Sequence, residues 1–248
     1  MSSIDTSIPG SSLPIGHIHP VSQTYHELTN IFARMGFETI EARLVNDEQA
    51  VFTNLNFPEN HPARDIMDTF YLDDGYIPIP HTSSMQNSIL TSRKDSLTHT
   101  PIAAVIPGRC FRNEKLDATH EATFYQLEGM YVNKNVRVSD LIGTLMAVGK
   151  RISDTYELGL EFKVLTTFFP FVEPGIEILA KTPDSDSWLE LIPAGMIHPN
   201  VLTSAGIDAK VYNGFAWAIG TDRLAMLRYG INDIRWFHSG DLRFLKQF

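Results

Sequence analysis

The chain has 248 residues, of which 43% are hydrophobic, 20% charged and 10% aromatic. This globular mixture excludes disordered, collagen-like and coiled-coil classes, and the length suits one large domain or two small ones. Twenty-nine acidic against 20 basic residues leave a net charge of −9, which argues against holding nucleic acid through a general basic surface. With one cysteine, Cys110, neither an internal disulfide nor a cysteine-rich zinc site is expected. No apolar run approaches the ~18 residues of a membrane helix, and the first residues lack the apolar stretch of a secretory signal. The expectation is a cytoplasmic protein with no membrane segment.

Residues 1–20 are Ser-, Pro- and Gly-rich and read as a loosely ordered lead-in. Val21, Tyr25, Leu28, Ile31, Phe32 and Met35 then fall on one face of a 3.6-residue period, predicting a helix that Gly36 stops. A strand is expected over 37–42, with loop and short helix over 44–68. A β-like run over 103–111, a polar loop over 113–121 and a second run over 123–132 predict a long-looped antiparallel hairpin. Ser139 is placed to cap a helix whose stripe is Leu141, Ile142, Leu145, Val148, Ile152 and Tyr156. Short strands follow over 162–171, 175–180 and 188–192, with a turn over 181–187. A last strand over 212–219 leads through Gly220 into a helix over 222–229, stopped by Gly230. Strands with long connections and few helices predict an α+β fold, an antiparallel sheet flanked by helices.

Four places carry candidate chemistry. Alternate strand residues share a face, so Phe124, Gln126 and Glu128 point together, with Arg112 and Glu114 leaving the preceding strand. A solvated, salt-bridged outer face is the other reading of the same residues. Phe169, Phe171 and Glu173 share parity, which would line two rings and a carboxylate on one face; core aromatics ending at a turn is the alternative. Gly195-Met196-Ile197-His198-Pro199 reads as a turn, with Glu190 on the strand before it. Gly220, Asp222 and Arg223 form a strand–glycine–helix passage whose helix N-terminus and arginine favour an anion. P-loop, H-E-x-x-H and G-x-S-x-G motifs are absent. His81-Thr82-Ser83-Ser84 reads by itself as a hydrogen-bonding segment, not a catalytic dyad.

Gly108-Arg109-Cys110-Phe111-Arg112-Asn113-Glu114, Thr119-His120-Glu121 and Phe124-Tyr125-Gln126-Leu127-Glu128-Gly129 resemble motif 2 of class II aminoacyl-tRNA synthetases. The variant is that of the α subunit of bacterial-type phenylalanyl-tRNA synthetases. The run from Gly220 to Gly230 resembles its motif 3. His61-Pro62-Ala63-Arg64-Asp65, Asp68-Thr69-Phe70-Tyr71-Leu72, the Phe-Pro-Phe-Val-Glu-Pro run, Gly195 to Asn200 and the closing Asp241 to Phe248 match in order. The likeness covers residues 16–248, leaving 1–15 as a flexible lead-in.

The resemblance implies a class II catalytic domain that activates phenylalanine with ATP and Mg²⁺ and passes it to tRNA(Phe). It implies that Arg112 holds the α-phosphate and Arg223 the γ-phosphate side, these two being the catalytic pair. Phe124 would stack on adenine, with Arg223 on the other ring face, and Glu114 and His120 would also contact ATP. Gln126, Glu128, His81 and Ser83 would take the substrate ammonium, and Phe169, Phe171, Val172 and Ala216 would enclose the phenyl ring. Glu173 matches a magnesium ligand. A β subunit is implied as partner, and transfer to tRNA is expected to need it together with a coiled-coil arm that this sequence lacks. Self-association through motif 1 is expected, on the ground that the helix over 21–35 would otherwise expose an apolar face. Arg43, the Pro78-Ile79-Pro80 run, Pro193, Trp217-Ala218 and Asp222 depart from the family pattern. They leave open a paralogue with altered substrate or acceptor, or a non-catalytic binding module.

Overall fold

The computed structural model describes Gly10, residues 16–65 and residues 69–248. Apart from Gly10, the lead-in expected over 1–15 lies outside the described residues, as does Asp68. In chain order the elements are α1 (Pro20–Arg34), β1 (Glu38–Thr39), β2 (Val45–Asn46), α2 (Glu48–Val51), β3 (Ile77–Pro78), α3 (Gln86–Arg93), β4 (Ile102–Phe111), β5 (Thr123–Asn133) and α4 (Val138–Thr155). They continue as β6 (Glu161–Phe169), β7 (Val172–Lys181), β8 (Leu189–Ile197), α5 (Pro199–Ser204), β9 (Asn213–Gly220), α6 (Thr221–Tyr229) and α7 (Leu242–Leu245).

Seven strands form one sheet in the order β1-β4-β5-β9-β8-β7-β6. Only β1 pairs in parallel, with β4; every other neighbour is antiparallel. The architecture is α+β, as the pattern of elements predicts. One sheet face packs on α1 and α4, through Leu28, Phe32, Leu141 and Leu145 against Leu127, Trp217 and Ile219. The other packs on α3 and α5, through Ile89, Leu90, Val201 and Leu202 against Ile106, Met130 and Ala216. Strand alternation on β9 thus sends Trp217 to one core and Ala216 to the other.

Three helical starts share one device, a His-Pro pair. Proline at the first helical position removes an N–H that would go unpaired there. The histidine before it accepts the next N–H on Nδ1: from Val21 at 3.3 Å to His19, from Ala63 at 3.1 Å to His61, and from Asn200 at 3.1 Å to His198.

Several local expectations change. Only Glu38–Thr39 of the 37–42 strand is regular, although Ile40 and Ala42 still donate to the carbonyls of Val105 and Pro107. Ser139 is not a cap; the cap position lies two residues earlier, at Arg137, whose N–H donates to the Asp140 carboxylate at 2.8 Å. Gly195–Pro199 is not one turn. Residues 195–197 finish β8, since a Cβ on Gly195 would lie 2.6 Å from the Cβ of Val172, so glycine serves strand packing there. The strand expected over 162–171 ends at Phe169, and Pro170 and Phe171 form the turn into β7. Most of the apolar face of α1 is covered within the chain: Val21, Leu28 and Phe32 are buried while Met35 is exposed, so the helix gives little ground for self-association. No helix among the described residues is long and apolar enough to cross a membrane.

Trp217 fixes the middle of the sheet. Its ring stacks on Phe32 at 5.1 Å, meets Phe37 edge-on at 5.3 Å, and lies across Gly129, its partner in the β5–β9 register. A Cβ on Gly129 would fall 2.0 Å from the indole. Gly129→Ala is therefore expected to destabilise the chain by about 1–3 kcal/mol, the usual cost of overpacking. The cost should shrink when Trp217→Phe is made alongside it. Urea unfolding of the single and double variants checks this; equal cost in both backgrounds would mean the indole is not the obstacle.

Candidate active site

The β4–β5 hairpin carries the site. Its alternation places Phe124, Gln126 and Glu128 toward two adjoining cavities of about 430 and 460 Å³. The two share walls: Arg112, Glu114, Gln126, Phe169, Pro193 and Ala218 border both.

The first cavity has a polar end and an aromatic end. Glu128 is buried at the polar end, and the hydroxyls of Thr82 and Ser83 and the Gln86 amide all donate to its carboxylate. Burial pushes this carboxyl up to about 7, against the pull of those donors. The ring of His81 lies parallel to Phe57 at 6.1 Å, and both its nitrogens are buried with no hydrogen-bond partner among the described residues. Burial, reinforced by the Arg112 charge, lowers its pKa to about 3, so the imidazole is neutral at physiological pH. Gln126 is oriented through its Oε1, which accepts from the Thr82 N–H at 3.2 Å and the Cys110 thiol at 3.4 Å. Burial pushes the Cys110 thiol well up, which keeps it an inert donor. At the aromatic end Phe169 and Phe171 stack at 5.7 Å, Phe171 meets Phe57 at 5.7 Å, and Val172 and Ala216 complete the wall.

The second cavity begins at Arg112. Its Nε donates to the Pro80 carbonyl at 3.1 Å, its guanidinium lies 4.8 Å over the Phe124 ring, and Glu114 stands 3.7 Å from Nη1. At the far end Arg223, in the first turn of α6, donates to the Glu190 carbonyl at 3.2 Å. His120 borders the same cavity from the loop, its Nδ1 held by Asp117 at 3.0 Å. Asp117 also takes the N–H groups of Thr119 and His120 and the Thr119 hydroxyl, which holds its carboxyl well below the usual range.

The structure thus brings together all the expected site residues but one. Glu173 does not share the face of Phe169 and Phe171. The parity reading assumed a continuous strand, whereas the chain turns at Pro170. Glu173 lies outside both cavities, largely exposed, 3.5 Å from His198 Nε2. Among the described residues no group of three or more His, Cys, Asp or Glu is arranged to hold a metal. Sequence reasoning missed Phe57 and Gln86 in the first cavity and Thr167 and Glu177 in the second. Glu177 had a signal: it is a lone acid between Ile176 and Ile178, both buried in the core. Burial raises its pKa, Glu190 adds to the rise and Arg223 opposes it.

An antiparallel sheet with an arginine at the end of its central hairpin, and a second arginine opening the helix after its next strand, is the frame of a class II synthetase. The family model "tRNA synthetases class II core domain (F)" matches residues 3–248. The chain is similar to the curated phenylalanine–tRNA ligase alpha subunits of Leptospira biflexa (44% identical, covering 99% of this chain and 73% of the relative), Streptococcus pyogenes serotype M1 (40%, 99% and 72%) and Staphylococcus aureus strain JH9 (39%, 99% and 71%). It therefore belongs to the class II tRNA synthetases, in the family of the phenylalanine–tRNA ligase alpha subunits.

Glu128 gives the site a pH signature. Its folded pKa lies above the ordinary carboxylate value, so the folded chain holds this proton more tightly than the unfolded chain. That stability is whole below about pH 4.5 and is lost as pH rises through about 7. The shift corresponds to on the order of 3 kcal/mol. Glu128→Gln should remove this slope, so the stability difference between variant and wild type should grow in the variant's favour from about pH 5 to pH 8. Chemical denaturation across that range measures it; parallel profiles would show that Glu128 stays ionised when folded.

Proposed function

We propose that this chain activates phenylalanine with ATP, releasing pyrophosphate, and passes the phenylalanyl group to tRNA(Phe). The observation that carries the reading is the shared wall of the two cavities, with Arg112 where they meet. The amino acid enters the first cavity. Its phenyl ring rests edge-on against Phe169 and Phe171, with Val172 and Ala216 as close walls. Its ammonium meets Glu128 in the ionised form, beside Gln126, Ser83 and the neutral His81. Its carboxylate then points at the junction.

ATP occupies the second cavity. Phe124 stacks on the adenine, and Arg112 exchanges that ring for the α-phosphate. Arg223 grips the γ-phosphate end, while Glu114 and His120 add contacts along the nucleotide. A carboxylate oxygen attacks the α-phosphorus, and the bond to the bridging oxygen of pyrophosphate breaks. No protein nucleophile is required. The chain supplies positioning and positive charge where negative charge gathers on phosphorus.

Magnesium would neutralise phosphate charge in such a reaction. Of the expected ligands this chain offers only Glu173, exposed and next to His198, which does not make a site by itself, so no step above runs through the metal. The acceptor step involves partners. A net charge of −9 argues against holding tRNA through phosphate contacts alone. A β subunit is the expected supplier of the tRNA-binding surface, in the cytoplasm, where translation takes place.

Amino-acid-dependent ATP–pyrophosphate exchange across all twenty amino acids tests the reading, which predicts a response to phenylalanine. Arg112→Ala should lower exchange by about 10²-fold or more, the cost of losing a charged transition-state contact; a rate within a few-fold of wild type would remove Arg112 from the mechanism.

The pocket wall gives a separate expectation. Ala216→Val should weaken phenylalanine use by about 1–3 kcal/mol in kcat/KM, and Ala216→Gly should admit para-substituted analogues. If neither variant alters the preference among analogues, Ala216 does not border the ring.

A further inference from the structure

Asp222 is the acid in the first turn of α6, and its side chain is buried. A buried charge persists only when it is bonded or used. Oδ2 accepts the N–H of Tyr125 at 2.5 Å. Oδ1 has no hydrogen-bond partner among the described residues and stands 3.8 Å from Nε2 of His238.

The sheet register explains why Tyr125 takes a side-chain acceptor. The β5–β9 ladder ends at the Gln126–Gly220 pair, because the chain turns into α6 at Thr221. Tyr125 is one residue beyond that pair. Its N–H has run out of strand, and the Asp222 carboxylate supplies the oxygen in place of a ladder carbonyl. The helix N-terminus also favours the negative charge.

The neighbours of this bond give it consequence. Phe124 immediately precedes Tyr125, and Arg223 immediately follows Asp222; both border the second cavity. The bond therefore ties the strand that presents the ring to the helix that presents the guanidinium. The other hold on Arg223 is its contact with the Glu190 carbonyl, from β8.

We propose that Asp222 is a positioning residue of the second cavity: its bond to the Tyr125 N–H sets the distance between the Phe124 ring and the Arg223 guanidinium, so that both ends of one nucleotide are held at once. This rests on the reading of that cavity as the ATP site. The role belongs to the oxygen and its reach, not to the charge. Glu128, Phe171 and Ala216, at the amino-acid end of the first cavity, do not border the second.

The experiment uses Asp222→Ala, Asp222→Asn and Asp222→Ser. KM for ATP and KM for phenylalanine are measured separately by pyrophosphate exchange, ATP Kd by calorimetry, and Tm for each variant. Asp222→Asn keeps an oxygen at the same reach and should hold ATP within about threefold of wild type. Asp222→Ala and the shorter Asp222→Ser should raise ATP KM and Kd about tenfold or more, because a sub-ångström misplacement separates the two contacts. Their phenylalanine KM should stay within about twofold of wild type. If Asp222→Ala loses its fold, Asp222→Ser carries the comparison. Equal losses for ATP and phenylalanine, unchanged ATP affinity in Ala and Ser, or an Asn variant as weak as Ala would each overturn the proposal. A wild type that binds ATP without exchange would sink the proposed reaction while leaving the Kd comparison valid. A wild type that does not bind ATP would overturn the proposal itself.

Discussion

Glu128 is a carboxylate in the middle of a sheet, with 1% of its surface exposed, and much of the site is arranged by what that requires. An ionisable group so placed must be surrounded by donors. The donors come from one segment, Thr82, Ser83 and Gln86, so that segment has to cross the sheet face at this point. Once it does, His81 is carried into the first cavity and the Pro80 carbonyl is set where it holds Arg112 Nε. Thr82 also donates its N–H to Gln126. A single buried acid thereby fixes the roof of one cavity and the arginine shared with the other. The same burial pushes its pKa up to about 7, and in the proposed reading this is the group that meets the ammonium.

The opposite face of the sheet supplies the rigidity. Trp217 lies across Gly129 and under Phe32 and Phe37, in register with the strand that bears Glu128. Ala216, one residue earlier, faces the first cavity from the other side of β9. The large ring that braces the sheet and the small side chain that leaves room for a ligand are thus consecutive residues, and period-two alternation separates their tasks. A one-residue slip of β9 would drive the indole into the cavity and empty the core, so the register is set by volume as well as by hydrogen bonds.

Most of the frame is legible in the sequence because it rests on local rules. The apolar spacing from Val21 to Phe32 encodes α1, and the alternation on either side of the 113–121 loop encodes the hairpin. The clustering of Phe124, Gln126 and Glu128 follows from parity inside a strand that is in fact continuous. The same rule fails at Glu173, because Pro170 and Phe171 form a turn and parity does not survive one. It also could not report that α1 is covered, since the covering residues, Trp217 and Phe37 among them, reach it through tertiary packing. Gln86 and Glu177 are further cases. Each is a polar residue whose meaning depends on which segment lies opposite it; the buried isoleucines on either side of Glu177 mark it as unusual but do not encode what it faces.

The departures from the family pattern can be weighed by where they fall. Trp217 is absorbed by the core, where Gly129 makes space for it. Arg43 is exposed and lines neither cavity. Pro193 and Ala218 differ from both, because they stand in the wall common to the two cavities. Proline fixes its own backbone and carries a ring, and alanine carries a methyl. Both take up space in the wall between the two cavities, where the proposed carboxylate and phosphate would meet. A change there acts on the approach of the two reactants more than on the hold of either one alone. Such a wall tolerates small additions only if they leave the line between the cavities open. Arg112 borders both cavities across this wall, held in place by Pro80. The arginine at the junction is thus held by a carbonyl of the Pro78-Ile79-Pro80 run, itself one of the departures.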